Sequence, residues 1–346
     1  MVRIIGGGPA GAAAAIAASG AGAEVEIYEE SPVPRHKVCG EFLTPEALPV
    51  LDRLGVLKEC SRERPAHVSR LIVHVGTCEK RARLPEAGWG ISRYHLDRIL
   101  LDRAASLGAR VIAERGAPET ADVVASGQPG WAPSPAGRTL NLPLLDAFQR
   151  PARTDPPLYG FKAHFRGQGG DTAELYFFSD GYVGVSPVEN GLVSVCGLVR
   201  SYLLRAKDLD PDAFLASRPE LAARTRFLSR ATDWLLAGST PRDIEYDLYQ
   251  PPGPYRAGDA LGPPEPFTGS GVLDALLSGQ MAGIAAVRRT PAAAYLQRVE
   301  NVLWRSHLFG SIIRTAFDTG WGRVLAPIAP LRWFFRRTRP SLKKME

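Results

Sequence analysis

Several features are scarce in this sequence of 346 residues, and each scarcity excludes a class of protein. The four cysteines (Cys39, Cys60, Cys78 and Cys196) form no C-x-x-C pair, so neither a disulfide scaffold nor a zinc site is expected. No apolar run reaches the roughly 18 residues of a membrane-spanning helix. Charged residues make up 23% of the chain and hydrophobic residues 45%, which is typical of a folded globular protein and excludes a disordered one.

The net charge of +6 is concentrated at the C-terminal end of the chain. From Leu331 to Glu346 there are six basic residues and one acid, so the rest of the sequence is nearly neutral. A large basic groove for nucleic acid is therefore not expected. Trp and Phe stand beside the clustered Arg residues, which is typical of a membrane interface, although a packed helix with a solvated basic end is the alternative. We predict a cytoplasmic protein, with peripheral contact to the inner face of the membrane as a hypothesis.

The beginning of the chain follows the order of a dinucleotide-binding unit. An apolar strand at residues 1–5 runs into a G-x-G-x-x-G segment, and an alanine-rich helix follows, which favours folded structure over a secretion signal. Gly6 permits the tight turn, Gly8 lets the backbone approach a pyrophosphate, and Gly11 lets helix and strand touch. The pyrophosphate would lie at the helix N-terminus, where the dipole favours negative charge. Ala10, in the first turn, is included among the predicted cofactor contacts.

An acidic pair ends the second predicted strand, Glu24–Tyr28. Glu29 lies 18 residues after Gly11, close to the spacing of roughly 20 expected of an acid that binds a ribose hydroxyl. An acid here disfavours a 2′-phosphate, so the ligand is predicted to be FAD or NAD. Glu30, the next residue, is also included among the predicted cofactor-binding residues.

A segment far downstream favours FAD. Residues 255–260 read Y-R-A-G-D-A, and a loop rich in proline and glycine then leads into a helix predicted over residues 272–287. This Gly-Asp motif resembles that of FAD-dependent monooxygenases, geranylgeranyl-reductase-like enzymes and flavin halogenases. The resemblance implies that Asp259 binds the ribityl chain and that Gly271 and Val272 lie near the isoalloxazine ring. No metal site is predicted.

Residues 34–45 look like the P-R-x-K-x-C-G-E segment of the same superfamily. The resemblance implies that Arg35 and Lys37 lie near the FAD phosphates and that the segment from Cys39 to Glu41 lies near the flavin. Lys37, Cys39 and Glu41 are weak candidates for a catalytic role, because no constellation of His, Asp or Ser stands out as a general base.

A third segment, residues 91–97, resembles the helix start of the family, which implies that Arg93 approaches FAD. Farther on, the chain departs from the family. Relatives usually carry a three-stranded antiparallel insertion and then an A-D-G segment, but here Ala113 and Asp122 are nine positions apart and Ser126 replaces the acid. We expect the insertion to be deleted, which puts the usual encounter with NAD(P)H in doubt and leaves the FAD contacts in place.

The middle of the chain has a hydrophobic period of two, which predicts an antiparallel sheet. The strand candidates are residues 158–166, 173–178, 182–187 and 192–200, joined by 71–75. Five aromatic residues of these strands are candidates to line an apolar cleft facing the flavin, although half of them filling the core is the alternative: Phe161, Phe165, Tyr176, Phe178 and Tyr182.

The predicted fold class is α/β: a Rossmann-like FAD-binding domain of the glutathione-reductase-like kind, with an inserted antiparallel-sheet substrate domain and C-terminal helices. Residues 1–65, 88–130 and 250–290 are assigned to the FAD domain, residues 66–87 and 155–249 to the substrate domain, and residues 291–346 to the C-terminal region.

The resemblance implies an FAD-dependent oxidoreductase, a reductase or a monooxygenase, that acts on an apolar molecule of the polyketide or isoprenoid type. NADPH or NADH is a candidate reductant, and the source of electrons stays open. One alternative is a halogenase, which is disfavoured because the W-x-W-x-I-P segment of halogenases is missing and the nearest string is G-W-G-I at residues 88–91. The other alternative is a non-redox flavoprotein, a cyclase or a binding protein.

Overall fold

The computed structural model describes residues 1–31, 34–127, 158–178, 180–239, 253–261 and 269–318, and near the C-terminus residues 331, 335 and 337–340. The first half of the chain has the elements β1 (Val2–Ile5), α1 (Pro9–Gly20), β2 (Val25–Tyr28), β3 (Phe42–Leu43), α2 (Ala47–Arg53), α3 (Leu57–Arg62), β4 (Ala66–Val75), β5 (Cys78–Gly90), α4 (Arg93–Ser106), β6 (Arg110–Ile112) and β7 (Val123–Val124). The second half has β8 (Leu158–Arg166), β9 (Thr172–Phe178), β10 (Gly181–Pro187), β11 (Leu192–Arg200), α5 (Ser201–Arg205), α6 (Pro211–Ala216), α7 (Pro219–Thr225), β12 (Ser229–Arg230), β13 (Leu235–Ser239), β14 (Tyr255–Arg256), α8 (Gly271–Arg288) and α9 (Ala292–Asp318).

A parallel sheet of five strands forms the first layer in the described part of the chain, in the order β14-β7-β1-β2-β6. Its middle strand β1 is apolar and mostly buried, as expected of a parallel strand between helical layers. Ile4 pairs with Ile27 on one side and with Val123 on the other. This sheet and the separate second sheet, which is antiparallel except where β4 pairs with β9 in parallel, confirm the predicted fold class, whereas the domain limits stay a prediction.

Helices α1 and α8 contact each other almost backbone to backbone. A Cβ atom on Gly279 would lie 2.1 Å from the carbonyl oxygen of Ala10, and one on Gly283 would lie 2.1 Å from that of Ala14. Because the contacts rise along both helices together, α1 and α8 run in the same direction. Their N-termini therefore point to the same side of the domain.

The connection between β6 and β7 is short, as the sequence predicts. Residues 113–122 contain a single 3-10 turn, Pro118–Thr120, and none of them belongs to a strand. The predicted deletion of the antiparallel insertion is therefore confirmed. The sequence also predicts a loop over residues 128–157, which are rich in Pro, Gly and Arg, and a strand over residues 244–249; both ranges lie outside the described residues.

The second sheet has nine strands among the described residues, in the order β12-β8-β11-β10-β9-β4-β5-β3, with β13 also paired to β8. One face is apolar and is covered by helices α5 to α7, because Phe161, Phe165 and Tyr176 share a core with Phe214 and Leu221. Side chains alternate between the two faces of a strand, so the neighbouring positions face the other way.

The opposite face, here called the inner face, carries Lys162, His164, Cys196, Tyr182 and Leu175. The pairing of the neighbouring strands β8, β11, β10 and β9 places these five side chains on the same face of the sheet. The inner face lies against the segment after β2, since a Cβ atom on Gly160 would lie 2.8 Å from Cγ1 of Val38. The inner face is therefore turned toward the parts of the chain predicted to hold the flavin.

The prediction that five aromatic residues of this sheet face the flavin was wrong for four of them. Phe161, Phe165, Tyr176 and Phe178 occupy the alternate positions of β8 and β9 and pack toward the helices instead. Tyr182 is the member of the set that lies on the inner face. The alternation of side chains along these strands was predicted correctly, but that alternation does not determine which face of the sheet the helices cover.

The C-terminal segment returns to the protein. Phe335 is buried against Val68, Leu71 and Leu84, and the guanidinium of Arg339 lies 3.9 Å from the centre of its ring. Burial lowers the pKa of Arg339 to about 10. These two residues therefore do not belong to an exposed basic-aromatic patch. Within the described part of the chain, no helix combines the length and the apolar character needed to cross a membrane.

Candidate cofactor and substrate site

The glycine-rich turn after β1 leaves no room for side chains. Gly6 has φ +93°, and a Cβ atom there would lie 2.4 Å from the carbonyl oxygen of Ala125. A Cβ atom on Gly11 would lie 1.7 Å from the carbonyl oxygen of Gly6. Helix α1 then begins after Gly8 without a side-chain cap. The N–H groups of its first turn, including that of Ala10, are therefore directed at the space outside the turn, where an anion would bind.

Glu29 lies against this turn, as the sequence predicts. Its Oε2 accepts a hydrogen bond of 2.7 Å from the backbone N–H of Gly7, and its Oε1 accepts one of 3.0 Å from Ser31. Arg35 lies 4.0 Å from the same carboxylate. Arg35 therefore lies on the adenosine side of the predicted site, and Glu30, the neighbouring acid, is exposed.

Two cations converge on Gly8. The position of a Cβ atom on that glycine is 3.7 Å from Nη2 of Arg93 and 3.9 Å from Nζ of Lys37. Both cations contact Asp97: Arg93 donates two hydrogen bonds of 2.6 and 2.8 Å, and Lys37 lies 3.3 Å away. Burial opposes the charge of Arg93, but Asp97 outweighs that effect and the pKa of Arg93 is raised. Two cations and one acid leave an excess positive charge, which fits a pyrophosphate.

The N-termini of α1 and α8 mark a track along one side of the domain. Ala10 is level with Gly279, and α8 begins eight residues before Gly279, at Gly271. At 1.5 Å per residue this places the N-terminus of α8 about 12 Å beyond that of α1. A dinucleotide whose pyrophosphate lies at α1 therefore extends along α8 toward Gly271 and Val272.

Asp259 lies beside this track. Gly258 has φ +61°, and a Cβ atom there would lie 2.9 Å from the Cβ of Ala10. Asp259 keeps part of its surface open to solvent although the protein surrounds it closely, and this desolvation raises the pKa of the carboxyl against the opposing effect of Arg93. A carboxyl group held next to the track suits the hydroxyl groups of a ribityl chain. Residues 262–268, the loop between this motif and α8, lie outside the described residues.

The segment that contains Cys39 and Glu41 joins the cofactor track to the inner face. Cys39 is half-buried, and its Sγ accepts a weak hydrogen bond of 3.4 Å from the N–H of Glu41. Burial raises the pKa of the nearby Cys196 thiol, so that thiol is protonated at neutral pH. The structure thus brings Cys39 close to Arg93 and Cys196, and burial of Cys196 outweighs the Lys162 charge that favours its thiolate.

Glu41 itself is fully buried. Its carboxylate accepts hydrogen bonds from Nζ of Lys162, from Nε2 of His164 at 2.6 Å and from the backbone N–H of Arg93 at 2.8 Å. Burial alone would raise the pKa of Glu41, but the His164 hydrogen bond and the Lys162 charge outweigh it and the pKa is lowered. Because the carboxylate is ionised, His164 is the donor of their hydrogen bond.

Sequence reasoning missed Lys162, His164 and His36, which meet at Glu41. One signal was available: in the strand L-Y-G-F-K-A-H-F-R a lysine and a histidine alternate with Phe161 and Phe165. Such side chains at buried positions of a strand need partners, and those partners mark a site. Ser126, the residue that replaces the usual acid, lies with its backbone next to Gly6.

Comparison with known proteins agrees with this geometry. The family model described as "FAD binding domain" matches residues 1–120. Menaquinone reductase of Mycobacterium tuberculosis is 34% identical over 114 residues, which are 32% of this chain and 28% of the reductase. That of Mycolicibacterium smegmatis is 33% identical over the same length. The chain thus matches less than a third of the length of these curated relatives.

Two solved structures share the fold over nearly the whole chain. The flavin-dependent brominase Bmp2 is similar with a TM-score of 0.75 and 19% identity, over 97% of this chain and 92% of that one. A geranylgeranyl bacteriochlorophyll reductase-like protein from Thermoplasma acidophilum is similar with a TM-score of 0.68 and 19% identity, over 99% and 94%. Residues 1–120 therefore match an FAD-binding domain, and the chain as a whole shares its fold with these two solved structures.

Proposed function

We propose that this flavoprotein is an FAD-dependent reductase or monooxygenase that acts on an apolar small molecule of the isoprenoid or polyketide type. The observation that carries the proposal is the chemistry of the inner face. Its half-exposed positions are apolar residues and one phenol: Val73, Leu175, Tyr182 and Leu198. Phe42 and Leu331 pack with Val73 and Leu175 against the same core cluster. An apolar lining with few polar groups is typical of a site for an apolar ligand.

The relatives favour the reductase. The curated protein that matches 114 residues of this chain reduces menaquinone according to its name, and one structural neighbour is named for its similarity to a geranylgeranyl bacteriochlorophyll reductase. Menaquinone is therefore the first substrate to test on this chain. A quinone of that kind is apolar, in keeping with the lining of the inner face.

The residues described above have separate roles in this proposal. The first turn of α1, Lys37 and Arg93 hold the pyrophosphate, Glu29 holds the adenosine ribose and Asp259 holds the ribityl chain. FAD bound there supplies the two-electron chemistry of the reaction. The inner face excludes water from one side of the flavin and orients the substrate. NADPH or NADH is the proposed reductant.

The test begins with anaerobic titration of the purified flavoprotein by NADPH and by NADH, followed by menaquinone and, separately, by air. Bleaching of the flavin absorbance by a nicotinamide, and its recovery on addition of menaquinone, support the reductase. Recovery in air with incorporation of one oxygen atom into an apolar substrate supports the monooxygenase. A flavin that neither nicotinamide reduces contradicts both and leaves the non-redox alternative, a cyclase or a binding protein.

A matched pair of variants tests whether the inner face holds the substrate. Gly184→Leu adds a side chain beside Leu175 on that face, and Leu236→Ala shortens an exposed side chain on β13. We expect Gly184→Leu to slow reoxidation by menaquinone while flavin reduction is unchanged, and Leu236→Ala to change neither. Equal slowing of both half-reactions by Gly184→Leu would contradict substrate binding on this face.

Halogenation is the second candidate, because the brominase shares the fold at a TM-score of 0.75. The residue nearest to the missing halogenase motif, Trp89, is buried in β5 opposite Leu43 and does not reach the inner-face lining. Formation of a halogenated product that depends on added chloride or bromide, followed by mass spectrometry, would favour this candidate over the reductase.

A further inference from the structure

We propose that Glu41 is a positioning residue that couples the inner face of the sheet to the FAD cradle. Its carboxylate binds two parts of the chain that are far from it in sequence: Arg93 at the start of α4, and Lys162 and His164 in β8. The inference rests on FAD binding at the cradle and not on which reaction follows, so it stands or falls separately from the proposed substrate.

The link to the cofactor runs through Arg93. The backbone N–H of Arg93 donates to Oε1 of Glu41, and its side chain points to Gly8 and to Asp97, which also contacts Lys37. Both cations predicted to hold the pyrophosphate are therefore fixed relative to the carboxylate of Glu41. A shift of that carboxylate moves the start of α4, and with it the guanidinium.

The link to the sheet runs through Lys162 and His164. Both are buried, with side-chain exposures of 1% and 2%, and both bind the carboxylate of Glu41, whose exposure is 0%. Cys196 and Ser194 are their partners on the adjacent strand. The residues that hold Glu41 are therefore buried members of the inner face.

Stability alone does not account for this arrangement. A buried ion pair contributes little net stability compared with apolar residues of the same volume. Glu41 also has φ +57°, a left-handed conformation that is strained for a residue with a side chain. Strained residues persist where the surrounding contacts hold them in place, and they cluster at functional sites. Here those contacts are the three hydrogen bonds across the junction.

A metal site is the competing interpretation of the same cluster. Ligand atoms of His36, Glu41 and His164 lie within 4.8 Å of one another, and Nδ1 of His36 is buried without a hydrogen-bond partner among the described residues. The ammonium group of Lys162, however, is bonded to the same carboxylate and would repel a cation. We therefore assign the cluster to positioning, with His36 packed edge-on against His164 at 4.9 Å between ring centres.

Hydrogen–deuterium exchange of the FAD-free protein, with and without added FAD, tests the coupling. We expect FAD to slow exchange in Leu158–Arg166 as well as in the cradle, by about tenfold or more. In Glu41→Gln and in Lys162→Met, FAD should still protect the cradle, but its effect on Leu158–Arg166 should fall below about twofold. A double variant, Glu41→Gln with Lys162→Met, leaves no unpaired buried charge and serves if a single variant does not fold.

Thr232→Ala is the matched control. Thr232 accepts a hydrogen bond of 2.9 Å from the backbone N–H of His164, so its loss weakens the same strand without touching Glu41. The FAD-dependent protection of Leu158–Arg166 should persist in this variant. The proposal is overturned if wild-type protein shows no such protection, if Glu41→Gln and the double variant keep it, or if Thr232→Ala loses it to the same extent.

Discussion

Gly279 lies directly against Ala10, so that a Cβ atom on the glycine would be 2.1 Å from the carbonyl oxygen of the alanine. This contact sets the distance between α1 and α8, and therefore the distance between the two helix N-termini that mark the cofactor track. Gly279→Ala should destabilise the fold by about 1–3 kcal/mol through overpacking and weaken FAD binding. Denaturant unfolding and FAD titration measure the two effects.

Gly20 provides the control for that substitution. It is the last residue of α1, and a Cβ atom there would meet nothing within 4 Å. Gly20→Ala should leave stability within about 0.5 kcal/mol of wild type and FAD affinity unchanged. A loss of FAD binding in Gly20→Ala as large as in Gly279→Ala would contradict the importance of the close helix contact.

Arg93 should determine much of the affinity for FAD. Arg93→Lys keeps the charge but loses the two-pronged contact with Asp97, so we expect the dissociation constant for FAD to rise about tenfold, and further in Arg93→Ala. Arg98→Ala, on the same helix but paired with Glu63, should leave the constant unchanged. Flavin fluorescence quenching gives the values; equal constants for wild type and Arg93→Ala would remove Arg93 from the site.

Asp259 should oppose stability and favour cofactor binding. Asp259 is an exposed residue, but the protein around its carboxyl partly desolvates it and raises its pKa in the folded state above the ordinary value of 3.8. The folded protein therefore loses stability as pH rises from that value through the raised pKa. Asp259→Asn should slightly raise the melting temperature of the FAD-free protein at pH 7, with a smaller gain near pH 4, and should weaken FAD binding. A melting temperature that falls at pH 7 would argue against desolvation of this carboxyl.

Glu41 should show the opposite dependence on pH. Its pKa is lowered from the ordinary 4.5, so its contribution to stability is present above that value and is lost as pH falls through the lowered pKa. At pH 7, Glu41→Gln leaves the Lys162 charge without its partner and should cost about 3–5 kcal/mol. The double variant Glu41→Gln with Lys162→Met should recover most of this loss. Urea unfolding of the two single variants and the double variant measures the three free energies of unfolding. A loss in the double variant equal to the sum of the two single losses would contradict the prediction.

Peripheral membrane contact remains a prediction about the C-terminal end. Phe335 and Arg339 are buried, so any contact must come from other residues of that region. Replacing Lys343 and Lys344 by Glu should reduce sedimentation with anionic vesicles and leave the weak binding to neutral vesicles unchanged. Undiminished binding of the variant to anionic vesicles would count against the prediction.

The nucleotide half of the site could be predicted because its signals are local. Each of these signals acts through the backbone geometry of a few adjacent residues: the turn from Gly6 to Gly11, the acid Glu29 and the Gly-Asp pair at 258–259. The structure brings Lys37 and Arg93 to Gly8, whereas it places Arg35 beside Glu29. The sequence shows that charged side chains lie near the motif, but it does not show toward which part of the site each side chain points.

The sequence by itself determined that the chain has a Rossmann-like cradle, an alternating sheet and a shortened link between β6 and β7, because helix and strand periods and glycine turns are short-range properties. Only the tertiary structure decided which face of the sheet is turned toward the segment after β2 and that Glu41 meets Lys162 and His164. Those contacts span 121 and 123 residues of sequence, and the pairing register of four strands places them. A period of two fixes the alternation of side chains, whereas the helices that cover one face decide which half of them forms the site.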